Sequence, residues 1–128
     1  MLARFTALVL FAVTTADGGG GSLATQLIGK WMSVDISGVQ LVYSADHTCT
    51  VTNDAVAARE RGTWRVSDGE LIERTSTGEI AYIHRSRPVI RGDRLSFGLQ
   101  QTSRRKLPHG TWSKPELWAD GLTFQRVR

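Results

Sequence analysis

The sequence predicts an all-β domain of about eight short antiparallel strands, a meander that closes on itself or folds into a sandwich. Three observations carry this expectation. Apolar and polar residues alternate over short runs. Turn-forming pairs such as Ser37-Gly38, Asp68-Gly69 and Thr77-Gly78 separate those runs. A large ring follows a glycine by two places three times, at Gly29–Trp31, Gly62–Trp64 and Gly110–Trp112. A glycine there lets backbone or another side chain come close where a strand begins. The intervals between the three Trp differ, so repeated strand starts over one core explain them better than an internal repeat.

The chain opens on a segment set apart from the domain. Residues 1–16 combine Arg4, the apolar run "FTALVLFAV" and small residues up to Ala16, the pattern of a secretory signal peptide. The run is too short to span a bilayer, which takes about 20 apolar residues. No Cys follows it to carry a lipid anchor. The expectation is an exported protein, periplasmic or secreted, with no stable membrane insertion after cleavage. Residues 17–22, "DGGGGS", read as a flexible linker, because successive glycines do not repay the entropy of ordering them. Residues 23–128 form the domain.

Within the domain, "KWMSVDI" at 30–36 is rich in β-formers and stops at Ser37-Gly38. "VQLVYS" (39–44), the turn "ADHT" (45–48) and "CTVT" (49–52) follow. "GTWRV" at 62–66 runs into "SDGE", where Asp68-Gly69 is the strongest hairpin signal in the chain. "LIERTS" (71–76) turns at Thr77-Gly78 into "EIAYIHRS" (79–86). The "RGD" at 91–93 reads as a turn into "RLSFGLQQT" (94–102), and "GLTFQRV" (121–127) closes the set. The one helical stretch to consider, "NDAVAARERG" at 53–62, fits one or two helical turns or the edge of a strand.

The formal net charge of +4 comes from 13 Arg and 3 Lys against 12 acids, scattered along the chain. This fits an Arg-rich soluble surface, with an anion-binding face as the sharper alternative. The bases are not interleaved with aromatics, which with export argues against nucleic acid. Cys49 is the lone cysteine, so no internal disulfide forms; alternation in "HTCTVT" puts it beside Val51 as a buried, inert thiol. His47, His84 and His109 lack metal-site spacing. The chain has neither a Gly-x-Ser-x-Gly elbow nor a phosphate-binding glycine loop. Glu70, Glu73 and Glu79 lie near hairpin turns and read as solvated. These features point to a binder without cofactor or metal rather than to an enzyme.

The start "GKW" at Gly29–Trp31 and the closing "FQRVR" resemble the lipocalin-like family of the calycin superfamily, in its short exported bacterial form. The resemblance covers residues 23–128. It implies an up-and-down barrel of about eight strands. In such a barrel Trp31 opens strand one and Arg126, or Arg128 in its place, packs across the Trp ring. A guanidinium on an indole face gains about 0.5–2 kcal/mol. The Thr-Asp-Tyr motif and the disulfide of longer relatives are missing, so their ligands do not transfer with the fold.

Alternation assigns the faces. Leu41 goes with Tyr43, Trp64 with Val66, Ile80 and Tyr82 with His84, Leu95 and Phe97 with Leu99, and Leu122 with Phe124. Met32, Val34 and Ile36 share a face that Trp31 does not, a conflict that a bulge or the barrel mouth would resolve. A filled core accounts for all of these residues. The functional alternative is an apolar or amphipathic molecule, such as a lipid or fatty acid, held by Tyr43, Trp64, Tyr82, His84, Phe97 and Leu99. Arg85, Arg87, Arg104 and Arg105, with Arg91, Arg94 and Lys106 nearby, would then attract an anionic headgroup. A second reading is a packed barrel that binds a protein, as some small exported bacterial barrels inhibit proteases. Its contact surface would be the segment at 100–121, whose two Trp suit an interface. A monomer is expected in either case.

Overall fold

A computed structural model describes residues 21–54, 58–78, 80–97, 102–117 and 122–128. The signal-peptide segment 1–16, most of the linker 17–22, and Glu79, Leu99 and Trp118 lie outside the described residues.

The described residues are all-β apart from a short helix α1 (Leu23–Leu27). Six strands follow it: β1 (Gly29–Ser33), β2 (Val39–Tyr43), β3 (Thr48–Asn53), β4 (Ala58–Ser67), β5 (Glu70–Thr77) and β6 (Ile80–Ser86). Five shorter ones complete the sheet: β7 (Val89–Arg91), β8 (Arg94–Ser96), β9 (Thr102–Arg105), β10 (Glu116–Leu117) and β11 (Thr123–Arg126). All pair antiparallel in one sheet ordered β10-β9-β6-β5-β4-β3-β2-β1-β11-β8-β7, curled into a half-barrel.

The eight expected strands become eleven among the described residues. "RLSFGLQQT" does not run as one strand: β8 ends at Ser96 and β9 begins at Thr102. The meander holds from β1 to β6 and then breaks, because β11 inserts between β1 and β8 while β9 returns to pair with β6. The first strand is also shorter than expected. Ser33 Oγ accepts hydrogen bonds from the backbone N–H groups of Asp35 (3.1 Å) and Ile36 (2.9 Å), which trades ladder bonds for a side-chain turn. In "NDAVAARERG" the strand alternative holds from Ala58 onward, as the start of β4. The Asp68-Gly69 hairpin has both residues at positive φ, 53° and 76°, as a type I′ turn requires.

Helix α1 was not expected from the sequence. Five residues make it about 7 Å long, too short to display a periodic stripe. Ser22, read as linker, caps it: its Oγ accepts from the Thr25 N–H at 3.2 Å. Small as it is, α1 touches both β4 and β7, which stand far apart in the strand order. Only a strongly curled sheet brings those strands to one helix. Leu27, at its end, is fully buried in a core with Trp31, Leu41, Trp64, Leu71, Leu95 and Phe124. Among the described residues no helix is long and apolar enough to cross a membrane.

The parity conflict in the first strand dissolves without a bulge. Trp31 is 0 % exposed and in register with Leu41 and Arg126, whereas Met32, Val34 and Ile36 are 41 %, 49 % and 45 % exposed. Met32 and Val34 lie outside, Trp31 points in, and Ile36, beyond the end of β1, borders the interior at its open side.

The three Gly-x-Trp pairs do different things. Gly29 sits at φ 139°, and a Cβ there would come within 2.7 Å of Arg126 Nη1. The space it leaves is filled by the guanidinium, whose Cζ lies 4.2 Å from the Trp31 ring centroid. Arg126 also donates to the carbonyls of Ile28 (3.0 Å) and Gln26 (2.8 Å), and Trp31 Nε1 donates to that of Leu27 (2.9 Å). At Gly62 a Cβ would collide with the Arg74 carbonyl oxygen and lie 2.7 Å from Thr75 Cα, so a bare backbone lets β4 and β5 draw together. Gly110 closes a turn, its N–H donating to Leu107 at 2.9 Å, before Trp112 bridges to Lys106.

Two substitutions test this account. Trp31→Ala should cost about 3–5 kcal/mol in urea unfolding, through lost burial and a cavity. Gly62→Ala forces β4 from β5 and should cost at least about 1–3 kcal/mol; an unchanged midpoint would refute the close approach.

Candidate functional site

The inner face of the half-barrel is built rung by rung. One rung runs Tyr43, Cys49, Gly62, Thr75, Tyr82, Arg105 across β2, β3, β4, β5, β6 and β9. The next carries Trp64, Glu73, His84 and Ser103. Directly paired residues in an antiparallel sheet share a face, so these rungs bring aromatic, acidic and imidazole groups together on one wall.

Glu73 is the centre of this wall, and the sequence reading of it as a solvated acid is corrected here. It is 4 % exposed, and the Tyr43 hydroxyl, itself buried, donates to its Oε2. Burial raises the Glu73 carboxyl above the usual carboxylate range, against the Tyr43 hydrogen bond and His84, which pull it down. Burial, and then the Glu73 charge, push the Tyr43 hydroxyl well above its ordinary value, so it stays a donor. The Cys49 thiol is pushed up to about 12, first by burial and then by Glu73 and Glu60, which leaves it protonated and unreactive.

A second acid, Glu60, is held differently. Burial works to raise it, but hydrogen bonds from His84 and Thr75 and the His84 charge outweigh that and keep its carboxyl below the usual range. Glu60 Oε1 accepts from Thr75 Oγ1 and lies 2.6 Å from His84 Nε2. A carboxylate oxygen has no proton to give, so Nε2 carries the proton in this contact. Two carboxyl groups therefore share one wall but are shifted in opposite directions: Glu60 is lowered by its partners, and Glu73 is raised by burial with a single hydroxyl donor.

In front of Glu73 and Tyr43 lies a cavity of about 380 Å³, a size in the range of small-molecule sites. Its walls are Val39, Leu41, Val51, Phe97, Leu122 and Phe124, with Ile36 and Asn53 completing the lining. Phe97 and Phe124 meet edge to face at 5.5 Å. Ile36, 45 % exposed, marks the side open to solvent, and the acid–hydroxyl pair marks the buried end.

The residues singled out from the sequence fall in several places. Tyr43 and Phe97 line this cavity. Trp64 stands behind Tyr43, edge to face at 5.6 Å, with its Nε1 donating to the Ser44 carbonyl (3.1 Å). Tyr82 stacks on His84 at 5.4 Å, apart from the cavity lining, and His84 serves Glu60. Leu99 lies outside the described residues.

The arginines do not gather. Arg85 pairs with Glu70 (2.7 Å) and Arg87 donates to the Asp68 carbonyl (2.9 Å). Arg104 donates to the Ser113 carbonyl (2.8 Å), and Arg94 to Gln125 (2.9 Å). By register Arg85 and Arg104 share the outer face while Arg105 takes the other, so no single basic patch forms from them. The RGD stretch is the β7–β8 turn, and its Asp93 accepts from Arg128 and sits 3.6 Å from Arg126 Nε. Arg128 thus holds Asp93 and leaves the Trp31 face to Arg126. In the segment 100–121, the expected contact surface for a protein partner, Trp112 is half-buried rather than displayed. Among the described residues no group of three or more His, Cys, Asp or Glu could hold a metal ion.

Compared with known proteins, the chain matches no family model, and no curated protein or solved structure gives a significant match.

The Glu73 environment fixes a pH dependence. An acid whose folded value is raised stabilises the fold below the ordinary carboxylate range and withdraws that contribution as pH climbs through the folded value. Glu73→Gln removes this titration. As pH rises above the ordinary carboxylate range, the wild type should therefore lose stability relative to Glu73→Gln, read as diverging urea midpoints. Parallel midpoints would show that Glu73 is solvated.

Proposed function

We propose that this protein binds a small apolar or amphipathic molecule in the half-barrel cavity. The observation that carries the reading is the cavity itself: about 380 Å³, walled by aliphatic and aromatic side chains, with two polar groups, Tyr43 and Glu73, set at the buried end. Apolar walls supply affinity without direction, and a few fixed polar groups supply orientation. The inner polar groups act in binding rather than catalysis. Cys49 is a protonated thiol, and Glu60 and His84 are spent on each other.

The Gly29–Trp31–Arg126 stack, with a curled antiparallel sheet around an apolar cavity, supports a lipocalin-like relationship. The basic, apolar, small-residue order of residues 1–16 supports export, and a monomer remains the working stoichiometry. In this reading the surface arginines keep the protein soluble and tie its turns; they are not the headgroup site.

Apolar fluorescent probes should bind the purified protein, and saturating probe should raise the melting temperature, by about 2.7 kcal/mol of stability at a hundredfold excess over Kd. Val51→Phe, which grows a half-buried wall residue into the cavity, should weaken probe binding at least about tenfold. Probe binding that survives Val51→Phe unchanged would place the site elsewhere.

A further inference from the structure

We infer that the ligand of this cavity carries a cationic amine at its polar end, received by the Glu73 carboxyl, rather than the carboxylate of a fatty acid. This rests on the cavity being a binding site.

The charge of the wall decides the class. Glu73 and Tyr43 are the titratable groups among the described lining residues, and no Lys, Arg or His joins them there. Tyr43 has one hydroxyl proton, and it is already donated to Glu73 Oε2. Among the described residues that hydroxyl is the hydrogen-bond partner Glu73 has, so its carboxyl keeps acceptor capacity for a ligand donor. Outside the lining, His84 acts on Glu73 as a counter-charge and Glu60 as a like charge, and the His84 Nε2 is taken up by the Glu60 carboxylate.

A carboxylate ligand would add a further negative charge beside the buried Glu73 and the half-buried Glu60, with no cation in the described lining. An ammonium group supplies the missing positive charge and up to three donors. It would also reverse the effect of burial, which now disfavours the ionised form of Glu73. The remainder of such a molecule, an alkyl chain or a ring, finds Leu41, Val51, Phe97 and Phe124. The outer-face arginines Arg85 and Arg104 have no place in this site.

The test titrates the full-length folded protein at neutral pH with n-octylamine, n-octanol and sodium octanoate, by calorimetry, with Val51→Phe as the control for surface binding. Octylamine should bind at least about tenfold more tightly than octanol, with octanoate weakest, since one charge-assisted pair in a low-dielectric site exceeds that margin. Glu73→Gln should remove the amine's advantage and leave octanol within about threefold. Tyr43→Phe, which keeps the acid, should retain the order and serves if Glu73→Gln fails to fold.

Octanoate binding as tightly as octylamine would overturn the inference while leaving the cavity reading in place. An amine advantage that persists in folded Glu73→Gln would overturn the assignment to Glu73. Failure of all three probes would overturn the cavity reading beneath it.

Discussion

Most of this architecture hangs on the placement of one guanidinium. Arg126 lies over the Trp31 ring and donates to the carbonyls of Gln26 and Ile28, on either side of the point where α1 gives way to β1. In doing so it joins β11, β1 and the helix end. The helix thereby keeps Leu27 in the core and stays against both β4 and β7. Neither the stacking energy nor two hydrogen bonds is large alone, but they act at the one place where the two halves of the sheet order meet. The glycine at position 29 is the condition for it, since any side chain would occupy the space the guanidinium needs.

The inner wall shows how a small half-barrel handles polar groups it does not expose. Glu60 is satisfied by two neighbours, Thr75 and His84, drawn from the two next strands. Glu73 is satisfied by one residue thirty places earlier in the chain, a long-range contact that only the completed meander creates. Cys49 and Tyr43 sit beside these acids and are held protonated by the same lack of water. The wall is therefore acidic and hydrogen-bonding around Glu60 and Glu73, while Arg85, Arg87, Arg94 and Arg104 tie turns and strand ends elsewhere.

Much of this was legible in the sequence, and the residues say why. Strand alternation and the Asp68-Gly69 turn locate β4 and β5 because both are local signals. Trp31 and Arg126 were found as a pair through a resemblance, and their contact is in the structure. Glu73 was missed, although the information was present. A two-residue turn at Asp68-Gly69 sets Ser67 against Glu70, hence Val66 against Leu71 and Trp64 against Glu73. Once Trp64 is placed inside, Glu73 must follow it. The helix was missed because five residues leave no period to detect. The insertion of β11 between β1 and β8 was not legible at all, since pairing between strands distant in sequence leaves no local mark.

That insertion also bears on when the molecule becomes a folded body. β1 and β8 are both made before β11, and each faces it with an unpaired edge until it arrives. Such edges are templates for pairing with other chains. Until the segment around Arg126 joins, the carbonyls of Gln26 and Ile28 lack the guanidinium that ties the helix end to the sheet. The pairing of β11 with β1 spans most of the chain, so it costs more loop entropy than any hairpin between β1 and β6.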